Sequence, residues 1–277
     1  MQPALDVVVD LLDLEAIEVN LFRGTSPDDE RQRMFGGQVA GQALVAAART
    51  VDDRAVHSLH CYFLRPGDPN APVLYQVDRI RDGRSFTTRR VVAIQHGRPI
   101  FNMSTSFHIE EPGFEHSDPM PVVPDPESLP TARDLWGSGD EDQSEDHPLD
   151  MRWVMPNPLE RDRPLPPDQQ VWMRADGVLP DDPVLHACLL TYASDMTLLD
   201  TSLLPHGRSW ASEEIMMASL DHAMWFHGSF RADEWLLYDQ HTPVASGARG
   251  LAGGRVFTRD GRLVASVMQE GLIRRMT

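Results

Sequence analysis

The chain has 277 residues, 41% of them hydrophobic and 24% charged, and a formal net charge of −17. That composition belongs to a soluble globular protein of one or two domains, and no apolar run approaches the roughly 20 residues that span a bilayer. So acidic a balance excludes a nucleic-acid or anionic-membrane partner, each of which needs a broad basic face; all 25 basic residues are Arg.

In chain order, the start MQPALDVVVDLLDLEAIE is acidic where a signal peptide is cationic. A short β-like run, Ile17 to Arg23, precedes a Gly/Ala-rich helical segment, FGGQVAGQALVAAAR at 35–49. The Gly36-Gly37-Gln38 opening of that helix is either a plain tight entry turn or a place where free N–H groups meet a carbonyl or a phosphate. Strand-like runs follow at 57–67, 73–80, 85–95 and 100–109, joined by turns at Asp82-Gly83 and His96-Gly97-Arg98. Arg79, Arg81, Arg84, Arg89 and Arg90 form the densest basic cluster, from which Arg84 and Arg89 are the candidates for a ligand phosphate. Between Pro112 and Pro167 lie 12 of the 22 prolines, with the acidic run GSGDEDQSED at 137–146 in the middle, a surface connection expected to be partly disordered.

Beyond the linker the same order of signals returns: Met151 to Met155, Val171 to Ala175, a helix over 183–197, then strands over 219–227, 235–240, 245–258 and 263–274. Ser58-Leu59 matches Ser219-Leu220, and Gly97-Arg98 matches Gly261-Arg262, at nearly equal offsets. The chain is therefore a duplication, with a first repeat at 1–116, a linker at 117–147 and a second repeat at 148–277. Each repeat reads as an α+β unit in which an antiparallel sheet wraps one long helix.

The most informative residue lies on the second helix. From Val184 on, Leu185, Cys188, Leu189 and Tyr192 mark one apolar face, and Asp195 continues it. A carboxylate there is costly unless hydrogen-bonded or put to use; the alternative is that the helix ends early and Asp195 is a solvated last-turn residue. Gln269 similarly continues the strand face of Leu263, Ala265 and Val267. Cys61 and Cys188, far apart and without ligand spacing, read as small core residues in a reducing cytoplasm. His57, His60, His222 and His227 lack neighbouring Cys or acidic ligands and read as packed or edge histidines, so no metal is expected.

The runs FRGTSPDDERQRMFGGQVAGQAL (22–44), HSLHCYFLRPGD (57–68), DGRSFTTRRVVAIQHGRPIF (82–101), GFEH (113–116), LLTYASDMTLL (189–199), DHAMWFHGSFRADEWLLYD (221–239) and LVASVMQEGLIR (263–274) closely resemble the acyl-CoA thioesterase II family. The resemblance implies a double hotdog, hydrolysis of fatty acyl-CoA to free acid and CoA, and no metal or organic cofactor. It places the family's water-holding Asp, hydroxyl and Gln on Asp195, Ser219 and Gln269, and leaves Gly37, Gln38, Arg84 and Arg89 as candidate substrate contacts. The first helix carries no acidic residue and Thr105 falls opposite Gln269, so one active constellation per chain is expected. The C-terminal Arg-Arg-Met-Thr is no peroxisomal tripeptide, so a cytoplasmic protein is expected; the resemblance implies acyl-CoA as its partner, and because hotdog sheets commonly pair edge to edge, at least a homodimer. The alternatives are a hotdog enoyl-CoA hydratase or dehydratase, for which His186 lies too far from Asp195, and a non-catalytic acyl-CoA sensor.

Overall fold

A computed structural model describes residues 3–26, 32–136, 147–155, 161 and 163–276. The first repeat opens with α1 (Pro3–Leu12) and a hairpin of β1 (Glu15–Glu18) and β2 (Leu21–Gly24), where the sequence suggested a single run. Then come α2 (Gly36–Ala48), β3 (Ala55–Phe63), β4 (Val73–Asp82), β5 (Phe86–Gln95) and β6 (Arg98–His108). After the linker, which contains the short α3 (Ala132–Trp136), the second repeat runs β7 (Leu149–Trp153), β8 (Asp168–Ala175), α4 (Pro183–Ser194), β9 (Ile215–Ser219), β10 (Asp221–Phe226), β11 (Leu236–Ser246), β12 (Arg249–Thr258) and β13 (Leu263–Arg275). A 3-10 stretch, Leu199–His206, links α4 to β9.

The run expected as one strand over 245–258 is instead divided between β11 and β12. Gly247 (φ 57°) and Ala248 (φ 60°) form a turn with positive φ at both central residues, the backbone that closes a two-residue hairpin. Ala248 hides the turn from a reading based on glycine.

The strands form one sheet in the order β1-β2-β4-β5-β6-β3-β10-β13-β12-β11-β8-β7. Reading outward from the centre, β3-β6-β5-β4-β2 on one side matches β10-β13-β12-β11-β8 on the other, so the duplication in sequence is a pseudo-two-fold in space. The repeats meet where β3 and β10 pair antiparallel, from Tyr62 with Asp221 to Ser58 with Trp225. Each half also has a buried tyrosine under its helix: Tyr75 donates to Gln42 on α2 at 2.6 Å, and Tyr238 donates to the Ser194 carbonyl at the end of α4 at 3.2 Å.

The two long helices are buried all round rather than along one stripe: residues 37–47 of α2 and 186–194 of α4 are inaccessible without a break. The reason is that α2 and α4 lie against each other as well as against the sheet. A Cβ added at Gly37 would stand 2.4 Å from the Tyr192 carbonyl oxygen, and one at Gly41 3.2 Å from that of Cys188. Glycine in a helix interior costs about 1 kcal/mol relative to alanine; at these positions it lets two backbones touch.

The described part of the linker is tied down; the acidic run 137–146, in the middle of the connection expected to be partly disordered, lies outside the described residues. Trp172, Trp235, Leu237 and Phe257 point away from the helices and form a second apolar cluster, covered by Met120, Val123 and Leu129. Trp172 Nε1 donates to the Pro124 carbonyl at 2.9 Å, and Arg255 and Arg259 hold Asp118 and Glu127.

Candidate active site at the seam between the repeats

Helix α4 ends at Ser194, and Asp195 caps its C-terminus. The helix does end early, yet Asp195 is not a solvated last-turn residue. Gln269 Nε2 donates to Asp195 Oδ1 at 2.5 Å and Ser219 Oγ donates to the same oxygen at 3.2 Å. Burial pushes the Asp195 pKa up to about 6, against hydrogen bonds from Gln269, Ser219 and the Gly37 N–H that favour the charged form. Its donors are neutral, and among the described residues no cation stabilises it. Gly36 stands beside it: a Cβ there would lie 2.7 Å from Asp195 Oδ2 and 2.9 Å from the Phe63 ring. The bare glycine lets the carboxylate and that ring approach the backbone more closely than a side chain there would allow.

Ser219 reaches this point through a β-bulge. His222 and Met224 on β10 face the helices and are buried. Strict alternation back from His222 would put Ser219 on the opposite face. But β9 pairs Ser219 with Gly271 while β10 pairs Ala223 with Met268, a register change of one residue at Leu220. The extra residue turns Ser219 inward. Gln269 sits on the helix-facing side of β13, fully buried, and its Nε2 also donates to Ser219 Oγ at 2.9 Å. The three residues come from a helix end, a bulged strand and the neighbouring strand.

The other candidates separate. Gly37 belongs to this site, through its N–H and through the first repeat, so the site is built from both halves. The side chain of Gln38 turns away: it is buried and donates to the Thr25 carbonyl at 3.0 Å. Arg89 is 1% exposed and its guanidinium is engaged by Thr50, Asp82 and two backbone carbonyls, so it holds the far end of α2 and offers nothing to a phosphate. Arg84 is exposed in the β4–β5 turn near the same end. With 1.5 Å of rise per residue, the length of α2 separates that end from Asp195 by roughly 20 Å. Thr105 donates to the Ser58 carbonyl at 3.0 Å. His57 packs edge-on against Phe86 and His60 against Trp225, while His227 bonds Ser266. His222, by contrast, is buried next to the site, a difference from the other histidines that no local sequence pattern marks. Cys61 and Cys188 are free and buried. No helix among the described residues is long and apolar enough to cross a membrane.

Comparison with known proteins bears on what this arrangement is. The family profile described as "Acyl-CoA thioesterase" matches residues 141–272, and that described as "Acyl-CoA thioesterase N-terminal domain" matches residues 26–108. Human acyl-coenzyme A thioesterase 8 is 44% identical, across 97% of this chain and 89% of its own length. Acyl-CoA thioesterase 2 of Haemophilus influenzae is 38% identical across 99% of both chains. The crystal structure of an acyl-CoA thioesterase II from Mycobacterium marinum superposes with a TM-score of 0.83 at 49% identity, covering 98% of this chain and 99% of its own. A protein from Alicyclobacillus acidocaldarius described as having the hot dog fold superposes with a TM-score of 0.80 at 19% identity, a likeness of fold alone. This chain therefore belongs to the acyl-CoA thioesterase family, a thioester hydrolase on a double-hotdog frame.

Proposed function

We propose that the protein hydrolyses fatty acyl-CoA by direct attack of a water activated by Asp195 and positioned by Ser219 and Gln269. The observation that carries this reading is geometric: Asp195, largely withdrawn from water at the end of α4, accepts from Gln269 Nε2 at 2.5 Å and Ser219 Oγ at 3.2 Å, and burial raises its pKa to about 6. A general base works best near the pH at which it operates. Asp195 takes a proton from water as the oxygen bonds to the thioester carbon. The C–S bond then breaks, and the departing CoA thiolate recovers a proton from the Asp195 carboxyl. General-base help of about 10²–10⁴-fold suffices for an already activated thioester.

A hydratase would need an imidazole paired with the carboxylate. His186 sits in the first turn of α4, where its Nδ1 accepts from the Ala232 N–H, at the opposite end of the helix from Asp195. Release of free thiol from palmitoyl-CoA tests the proposal: the protein turns it over, and Asp195→Asn loses at least about 100-fold in kcat. Turnover by Asp195→Asn within a few-fold of the parent removes the residue from the chemistry. A single turnover in ¹⁸O-water with enzyme in excess puts the label in the fatty acid. Label in the Asp195 peptide would mean attack by the carboxylate itself, through an anhydride.

A further inference from the structure

His222 is the helix-facing residue of β10 next to the Ala223–Met268 pair, so it lies across from Gln269 on β13. Its imidazole is 1% exposed, and its Nε2 stands 2.9 Å from Ser194 Oγ, on the residue preceding Asp195. Two buried polar atoms around it have no hydrogen-bond partner in the structure, His222 Nδ1 and Gln269 Oε1. They are of complementary type, one able to donate and the other an acceptor, and they belong to facing residues on adjacent strands.

Counting protons selects one arrangement. Gln269 must present Nε2 to Asp195 and Ser219, because Oε1 in that place would set an acceptor against a carboxylate. Its Oε1 is thereby directed away from Asp195, on the side of His222. If His222 carried its proton on Nε2, a lone pair on Nδ1 would confront the lone pairs of Oε1, and both buried atoms would stay unsatisfied. With the proton on Nδ1, Oε1 gains a donor and Nε2 becomes an acceptor for the Ser194 hydroxyl. That hydroxyl also lies 3.0 Å from the Thr191 carbonyl and 3.4 Å from Met224 Sδ, but it has one proton, and a bare imidazole nitrogen is a far better acceptor than a thioether and would otherwise stay buried and unsatisfied.

We propose that His222 is a positioning residue, a neutral Nδ1–H imidazole that donates to Gln269 Oε1 and locks the amide with Nε2 toward Asp195 and Ser219. The hydrogen bonds then run from Ser194 to His222 to Gln269 to Asp195, and the Ser194–Asp195 peptide closes the ring. Burial keeps His222 uncharged in the neutral range, lowering its pKa to about 4. The inference rests on the reading of Asp195, Ser219 and Gln269 as the water-holding group.

The test compares His222→Leu, which removes the donor, with His222→Asn, whose amide N–H stands where Nδ1–H stood. With palmitoyl-CoA, His222→Leu is expected to lose roughly 100-fold in kcat with KM changed by less than about threefold, and His222→Asn to lie within about fivefold of the parent. In a Gln269→Ala background the added loss from His222→Leu should shrink to less than about threefold, because the imidazole acts through the amide. Equal losses in both backgrounds, or His222→Asn no better than His222→Leu, overturn the proposal. The side-chain ¹⁵N spectrum of the intact protein gives a second measurement that does not depend on turnover. The proposal expects protonated Nδ1, bare Nε2 and a shift of Nδ1 in Gln269→Ala; a proton on Nε2 overturns it whatever the kinetics. Full turnover by Gln269→Ala would instead overturn the catalytic reading, and the spectrum would then decide the hydrogen bond alone.

Discussion

On the proposed mechanism Asp195 sets the pH dependence of the chemistry, and its burial puts a cost on the fold. Its pKa in the folded protein is about 6, above the ordinary 3.8, and a general base acts in its charged form. We expect kcat/KM to rise with pH through about 6 and then level off, with that limb missing from the residual activity of Asp195→Asn. For stability the raised value means that the folded state holds the proton more tightly than the unfolded chain. The associated stabilisation is complete below the unfolded pKa and is lost as pH rises through about 6. Asp195→Asn should therefore be the more stable protein at pH 8, by up to about 3 kcal/mol, and lose that advantage near pH 4. Thermal melts of both proteins at the two pH values check it; an unchanged difference across pH would show that Asp195 is not strained by desolvation. Ser219→Ala should lower turnover clearly, whereas Ser58→Ala and Thr105→Ala, whose side chains lie in the other half, should leave it within about twofold; equal losses at Ser58 and Ser219 would contradict a single constellation. At this scale the sequence was legible where a polar residue broke an apolar period, as at Asp195 and Gln269. It misled at Ser219, which simple alternation turns outward and only the family motif recovered. It misled too at Arg89, since a buried arginine that bonds backbone carbonyls looks, in sequence, like any other cation on a strand.

Among the elements, α2 and α4 show how little of a helix contact is written in hydrophobicity. Both helices were legible from their periodicity and position, but not their contact, because glycine reads as a flaw in a helix until its neighbour is known. Alanine normally stabilises a helix relative to glycine by about 1 kcal/mol. At Gly37 the sign should reverse: the new methyl would stand 2.4 Å from a backbone carbonyl of α4, which cannot rotate away. We expect Gly37→Ala to lose about 1–3 kcal/mol in denaturant unfolding and to lower kcat as well, since the Gly37 N–H bonds Asp195. Gly41→Ala, with its contact at 3.2 Å, should be milder. A stabilised Gly37→Ala would show that the helices have room to separate.

In the whole molecule, the antiparallel fold class and the duplication could be read from repeated turns and motifs, whereas the joining of the halves through β3 and β10 depends on long-range pairing that no local pattern encodes. The proline-rich composition likewise hid the strap over Trp172 and Phe257, whose apolar contacts are few and spaced apart in the chain. Trp172→Phe removes the bond to the Pro124 carbonyl, and limited proteolysis should then cut within 118–130 several-fold faster than in the parent at unchanged turnover, because the strap lies on the face away from the site. Cleavage at the parental rate would mean that packing alone holds it. The seam itself has a genetic consequence. In an assembly of two identical chains, every substitution is made at both symmetric positions at once. Here the repeats share one polypeptide, and the C-cap that is Asp195 in α4 is Arg49 in α2, paired with Asp13. The two halves are thus free to differ: one ends its helix in a carboxylate, the other in an arginine that serves as wall and helix terminus, a division of labour closed to a dimer whose two halves are copies of a single gene.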